Sequence, residues 1–218
     1  MNQKLALVSD FDGTISHKDF FDCVVEKLLN DNALDAWRKY LSGEKTHFDA
    51  LKEIFSKIRI SENDFYNFIL NLGVDRKFFK VCDLCKKSGI PIYICSGGCD
   101  YYIRVMIGKE IDNYDIKLIT NYSFYSSAMG LVMRRLPKTE KYYDYDVGVS
   151  KAAVVEDVKS QGYKVIYCGD GRPDFEAAKE ADTVFARSVL LEFCKKDGVV
   201  TEKFDDFDDV YKFIEDNK

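Results

Sequence analysis

The chain's chemistry begins at two aspartates one residue apart, Asp10 and Asp12, in the run Asp10-Phe11-Asp12-Gly13-Thr14. On extended backbone their side chains point the same way, so two carboxylates crowd one small volume. Such a pair repels unless a cation or a proton shares the site. The same residues also suit an Asx turn leaving a strand. Three other places carry matching chemistry. Ser96-Gly97-Gly98 offers a hydroxyl followed by glycines whose N–H groups can approach an anion closely, although glycines also simply make turns. Lys151 opens a predicted helix capped by Ser150, where the dipole disfavours a cation unless it reaches for an anion; the alternative is a plain surface lysine. Gly169-Asp170-Gly171, with Asp174 shortly after, adds two more carboxylates.

Each of these places except Lys151 follows a short apolar run. Leu5-Ala6-Leu7-Val8, residues 90–95 and residues 164–168 read as strands buried on both faces, because they are continuous rather than alternating in polarity. The second is expected to stop at Ser96, with a helix over 101–107 beyond it. In open α/β sheets ligands bind at the carboxyl ends of the strands, which is where these acids and the Ser-Gly-Gly fall. Between the first two runs the pattern is helical. Phe20, Phe21, Val24, Val25 and Leu28 recur at three- and four-residue spacing, Phe48, Leu51, Ile54 and Phe55 do the same, and Ser61 with Asp64 caps a further helix. Residues 16–72 are therefore expected to be an all-helical insertion after the first strand, with 1–15 and 73–218 forming the core domain. Residues 116–120, 122–125 and 131–133 read as strands, the latter two forming a small hairpin flap; 137–146 is a loop over the site or a solvated edge. A fourth core strand is expected at 183–186, with helices at 189–194 and 207–214.

The composition narrows the partners. With 218 residues, 46% hydrophobic and 32% charged, the chain has the make-up of an ordinary globular protein. Its net charge of −5, with no long basic run, gives no footprint for nucleic acid. No segment approaches the ~18 apolar residues of a membrane span, and Met1-Asn2-Gln3-Lys4 leads straight into the first strand, so a cytoplasmic protein is expected. The seven cysteines, odd in number and set in apolar patterns, read as free buried thiols. Cys82 and Cys85 have metal-ligand spacing, yet no second pair answers them.

The ordered set Asp10-Phe11-Asp12-Gly13-Thr14, Ser96-Gly97-Gly98, Lys151 and Gly169-Asp170-Gly171 with Asp174 resembles the four motifs of the haloacid dehalogenase superfamily, over essentially the whole chain. The helical insertion resembles the small cap of the phosphoserine phosphatase group. Residues 96–102 and 181–191 are similar to the 2-hydroxy-3-keto-5-methylthiopentenyl-1-phosphate phosphatases of methionine salvage, although the cysteines those relatives often carry before the lysine are missing from 142–150. The resemblance implies an α/β, Rossmann-like parallel sheet and a Mg²⁺-dependent phosphatase of a small phosphorylated metabolite, working as a monomer or homodimer. By resemblance Asp10 is the nucleophile and Asp12 the acid and base. Asp10, the Asp12 carbonyl and Asp170 hold Mg²⁺, with Asp174 as ligand or just behind. Ser96, Gly97 and Lys151 bind the phosphoryl group, and Thr14, Asp19 and Gly98 face the substrate.

The leaving group is less determined. Asp19 falls where phosphoserine phosphatases read the substrate amine, and reads equally as a first-turn helix acid. Where those enzymes carry an arginine for the substrate carboxylate stands Glu53, with Arg59 a few residues on. Phe20, Phe21, Trp37 and Phe55 would line an apolar pocket or fill a core. Phosphoserine phosphatase and 5′-nucleotidase-like activities are the alternatives, then a phosphomutase, and last a phospho-accepting regulator, which would have no use for Asp12.

Overall fold

The computed structural model describes residues 4–218; the expected lead-in over residues 1–3 lies outside them. Six strands form one sheet in the order β4-β3-β2-β1-β5-β6, with β1 (Leu5–Ser9), β2 (Ile92–Cys99), β3 (Lys117–Ser126), β4 (Gly130–Arg134), β5 (Lys164–Gly169) and β6 (Thr183–Ala186). All pairings are parallel except β3 with β4, which makes the sheet mixed at one edge. β1 lies at the centre and every one of its residues is buried. Leu5 and Leu7 turn to one face and Ala6 and Val8 to the other, each into its own apolar cluster, which is why the run is continuous.

Between β1 and β2 the chain is helical: α1 (Phe20–Leu28), a 3₁₀ turn, α2 (Asp35–Leu41), α3 (His47–Phe55), α4 (Glu62–Leu70) and α5 (Lys77–Ser88). Asp19, Thr46 and Ser61 cap α1, α3 and α4, each side chain accepting a backbone N–H of its first turn. The segments entering and leaving α1–α4 meet, with Ser16 bridged to Val74 and the Asp75 N–H donating to the Ile15 carbonyl at 2.9 Å. After β2 come α6 (Asp100–Asn113), then α7 (Lys151–Ser160), α8 (Phe175–Glu180), α9 (Ser188–Asp197) and α10 (Phe207–Asn217). No helix among the described residues is long and apolar enough to cross a membrane.

Three expectations need correction. β2 does not stop at Ser96 but continues through Ser96-Gly97-Gly98 to Cys99, with its register against β3 shifting between Cys95 and Cys99. The Asn121 side-chain amide makes this possible by donating to the carbonyls of Gly97 (2.9 Å) and Gly98 (3.1 Å), which the bulged ladder would otherwise leave unpaired. α6 accordingly starts at Asp100 and runs to Asn113 with a break at Ile107, longer than expected. The expected flap is part of the sheet: β3 is one continuous strand, and Leu131, Met133 and Tyr125 are buried, with the Tyr125 hydroxyl on the Ile60 carbonyl at 2.8 Å. The seven cysteines are free and buried, and burial pushes the Cys85 thiol up to about 12, so the Cys82/Cys85 pair sits in the core as unreactive thiols.

Candidate active site

β1, β2 and β5 are neighbours, so their carboxyl ends bring Asp10, Ser96 and Asp170 to one edge of the sheet; the Asp10 N–H donates to the Cys168 carbonyl of β5 at 2.9 Å. Lys151, the first residue of α7, enters the same place and is buried. Its ammonium lies 2.7 Å from Asp10 Oδ1 and 2.6 Å from Asp174 Oδ1. The misplaced cation of the sequence therefore has anionic partners within the fold. Burial pulls Lys151 down, and the Asp10 and Asp174 charges outweigh it and hold the ammonium well above its ordinary range.

Asp174 is fully enclosed. Oδ1 accepts from Lys151 and from the Tyr167 hydroxyl (2.6 Å), while Oδ2 accepts from the N–H groups of Asp170 (3.2 Å) and Gly171 (2.8 Å). Four donors saturate a carboxylate, so Asp174 anchors the others. Asp10 and Asp170 keep open lone pairs. Burial, then the Asp174 charge, raises Asp10 well above the usual carboxylate range and Asp170 to about 6. Asp10, Asp170 and Asp174 each present an oxygen within 4.8 Å of one another, and the one ammonium pairs with only two of them, Asp10 and Asp174.

Asp12 sits beside this group in different company. Its Oδ2 accepts from the Tyr102 hydroxyl (2.5 Å) and from Ser96 Oγ (3.1 Å), and its Oδ1 from the Phe20 N–H that opens α1 (3.4 Å). Burial raises its carboxyl and these donors oppose the rise. Ser96 Oγ in turn accepts from the Gly98 N–H at 2.9 Å. A Cβ on Gly98 would overlap the Tyr102 hydroxyl and come within 3.1 Å of Asp12 Oδ2, so only glycine admits this packing. Gly13, at φ +68°, is likewise pressed against Asp170.

A cavity of 250 Å³ opens above these groups, lined by Asp10, Asp12, Ser96, Gly97, Gly98, Lys151, Asp170 and Asp174. Asp19 lines it too while also capping α1, so both of its expected parts are compatible with its position; burial, then the Asp12 and Asp22 charges, pushes its carboxyl up to about 8. Phe20, Phe21, Trp37 and Phe55 all reach the cavity wall, and Phe20 stacks on Tyr102 with ring centroids 4.0 Å apart. Thr14 does not line the cavity. It is fully buried, its hydroxyl 3.4 Å from Asp170 Oδ1, in a position to orient that carboxylate and not to meet a substrate. The loop over 137–150 borders the site, with Val147 against Gly97 and Asp146 accepting the His47 and Phe48 N–H groups. Glu53 is paired with Lys45 and Lys57, and Arg59 turns to the carbonyls of Ser56 and Ile58; neither lines the cavity.

Three residues at or behind the cavity escaped the sequence reading. Tyr102 lies on a buried helix face, and the only clue was that a buried tyrosine hydroxyl must find a partner. His47, one of two histidines, follows the Thr46 cap of α3 and faces the cavity. Arg187 pins the Asp10–Thr14 loop from the far side by donating to the carbonyls of Gly13 (2.7 Å) and Thr14 (2.5 Å).

The chain is similar to known proteins. Residues 7–179 match the model of the haloacid dehalogenase-like hydrolases. Pdp3-interacting factor 1 of Schizosaccharomyces pombe is 24% identical over 223 residues, covering 98% of this chain and 96% of its own length. The 2-hydroxy-3-keto-5-methylthiopentenyl-1-phosphate phosphatase of Bacillus mycoides is 27% identical over 203 residues, covering 92% and 91%. Among solved structures, a substrate-bound phosphoserine phosphatase superposes with a TM-score of 0.68 at 14% identity, over 98% of this chain and 99% of that one, a likeness of fold. Since the family model spans most of the chain and ends just past the Asp170–Asp174 segment, this protein belongs to the haloacid dehalogenase-like hydrolase family.

Proposed function

We propose that the protein is a phosphoric monoester hydrolase for a small metabolite, with Asp10 as nucleophile and Asp12 as general acid and base. The observation that carries this reading is the pairing of an open, lysine-held carboxylate with a second carboxylate held by hydroxyl donors. In the first step the open oxygen of Asp10 attacks phosphorus while the ester P–O bond breaks and Asp12 gives its proton to the departing oxygen. In the second, Asp12 takes a proton from water, which attacks the aspartyl phosphate and returns Asp10 and inorganic phosphate. Ser96, the Gly97 N–H and Lys151 hold the phosphoryl oxygens, and Lys151 supplies the fixed positive charge. Residues 16–72 would act as a cap over this chemistry, supported by the Ser16–Val74 bridge that brings their two connections together. The full-length likeness to a methylthiopentenyl phosphate phosphatase, together with the aromatic wall, supports that ester as first candidate.

The donor set fits Mg²⁺: oxygens only, no histidine or cysteine among them, and more carboxylate charge than Lys151 can balance. Asp10, Asp170 and the Asp12 carbonyl would hold the ion, with Asp174 behind them, since its own oxygens are saturated. Bound there, Mg²⁺ supplies charge that offsets the phosphoryl oxygens.

The decisive assay is phosphate release from methylthiopentenyl phosphate, phosphoserine, phosphoethanolamine and nucleotides, with Mg²⁺ and with chelator. Release that requires the metal and ranks the first ester highest is expected; release from none of them would overturn the reading. The carboxylate crowding also predicts a pH effect on the metal-free protein. Asp170 holds its proton up to about 6 in the folded state against about 3.9 when unfolded, so its contribution is fully present below pH 4 and lost as pH rises to 6. In chelator, Asp170 alone should make unfolding easier by about 2–3 kcal/mol across that window, on top of what the other raised carboxyls contribute. Asp170→Asn should reduce this dependence by its own share, leaving the part that Asp10 and Asp19, also raised, contribute in the same direction; a melting temperature that changes equally from pH 4 to 6 in both proteins would refute the assignment.

A further inference from the structure

The far wall of the cavity carries a polar group that the phosphoryl chemistry does not use. The His47 ring stands edge-on to Trp37 (5.7 Å, 69°) and Tyr40 (5.3 Å, 78°), and its Cε1 faces the Ser96–Gly98 segment, 3.9 Å from where a Cβ on Gly97 would lie. Its Nδ1 is buried and has no hydrogen-bond partner among the described residues. Buried polar atoms are nearly always paired, so an unpaired one on a cavity wall marks a place for a ligand atom. Burial pulls the imidazole down to about 4, which leaves the ring neutral at pH 7 with one nitrogen to donate and one to accept.

Charge narrows what that ligand atom can be. Among the described residues Lys151 is the only lysine or arginine lining the cavity, and it is committed to Asp10 and Asp174. Asp19 and Asp22 stand on the α1 side. A leaving group bearing a carboxylate would therefore meet the Asp22 charge and, among the described residues, no free cation, whereas an uncharged oxygen would meet the imidazole.

We propose that His47 determines leaving-group specificity, its Nδ1 hydrogen-bonding an uncharged hydroxyl, keto or enol oxygen on a small phosphate ester while leaving groups that carry a carboxylate are rejected. This rests on the phosphomonoesterase reading above and extends it from the phosphoryl end to the other end of the substrate.

The test compares glycerol 3-phosphate with propyl phosphate, which has the same carbon skeleton without hydroxyls, and phosphoethanolamine with phosphoserine, which differ by one carboxylate. Each is measured by kcat/KM and, in Asp10→Asn protein, by calorimetric binding. Wild type should favour the hydroxyl-bearing ester by about 10–100-fold and the carboxylate-free amine ester by about tenfold or more. His47→Leu should bring the glycerol-to-propyl ratio close to 1. His47→Asn, whose amide can occupy the position of Nδ1, should restore part of it. A ratio unchanged in His47→Leu, or phosphoserine handled as well as phosphoethanolamine, overturns the proposal. If wild type hydrolyses no ester, including p-nitrophenyl phosphate, the hydrolase reading fails by itself. The binding ratios then still decide on His47: loss of the ratio in His47→Leu sustains its role, and an unchanged ratio ends it.

Discussion

Asp10→Asn should lower phosphate release by about 10⁴-fold or more while leaving the fold as stable as before, or more so. The amide keeps the shape of the side chain and, under the proposed mechanism, removes its ability to attack phosphorus. No neighbour can replace it. Asp174 is the nearest other carboxylate on Lys151, and four donors hold its oxygens. Asp12 is occupied by Tyr102, Ser96 and the Phe20 N–H. The stability forecast follows from the same crowding. Burial and the Asp174 charge raise the Asp10 carboxyl well above its usual range, so in the metal-free protein a neutral amide relieves repulsion, and Lys151 keeps its partner Asp174. Asp12→Asn, which removes acid–base help alone, should cost only about 10²–10⁴-fold. The measurement is steady-state phosphate release together with acid-quench trapping of phosphoprotein, which wild type should form and Asp10→Asn should not. Activity within tenfold of wild type would remove Asp10 from the nucleophile's place.

How far the sequence exposed this site depended on whether a signal was local. β1 could be read because a strand covered on both faces must be apolar throughout, and its abrupt end at Asp10 located the reacting edge. Asp170 and Asp174 followed from the same pattern at β5, and Lys151 from the one misfit in an otherwise well-capped helix. What could not be read were effects of distant partners. Ser96-Gly97-Gly98 looks like a turn from its glycines, yet it is strand, because Asn121 on β3 satisfies the carbonyls of its bulge. The hairpin looked free because nothing in 122–133 announces that Tyr125 reaches Ile60 in the segment before α4. Tyr102 and His47 each fit a helical apolar period, and only the assembled cavity separates a hydroxyl on Asp12, or an imidazole with an orphan nitrogen, from ordinary core. Conversely, an aromatic of the helical insertion turns out to be both things the sequence left open: Phe20 is buried core and also cavity wall.

The second large effect belongs to Lys151, because under the proposed mechanism one ammonium serves two functions there. It is buried between Asp10 and Asp174 at 2.7 and 2.6 Å, and removing one member of a buried ion group leaves uncompensated charge worth about 3–5 kcal/mol. Lys151→Ala also empties the volume of its aliphatic stem, whereas Lys151→Met keeps that volume and deletes only the charge. Comparing the two separates packing from electrostatics: both should lose at least as much turnover as Asp12→Asn, and methionine should recover part of the stability. The loss of stability should be smaller at pH 5 than at pH 7.5, since Asp10, raised above its ordinary range, takes up a proton when its cation is gone. Arginine should not rescue turnover. Its planar fork is matched to one carboxylate, while this site needs a compact charge within reach of two carboxylates and the phosphoryl oxygens. Unfolding curves and kcat for the three variants decide the matter. Turnover of Lys151→Met within tenfold of wild type would show that the ammonium stabilises the fold without taking part in the reaction.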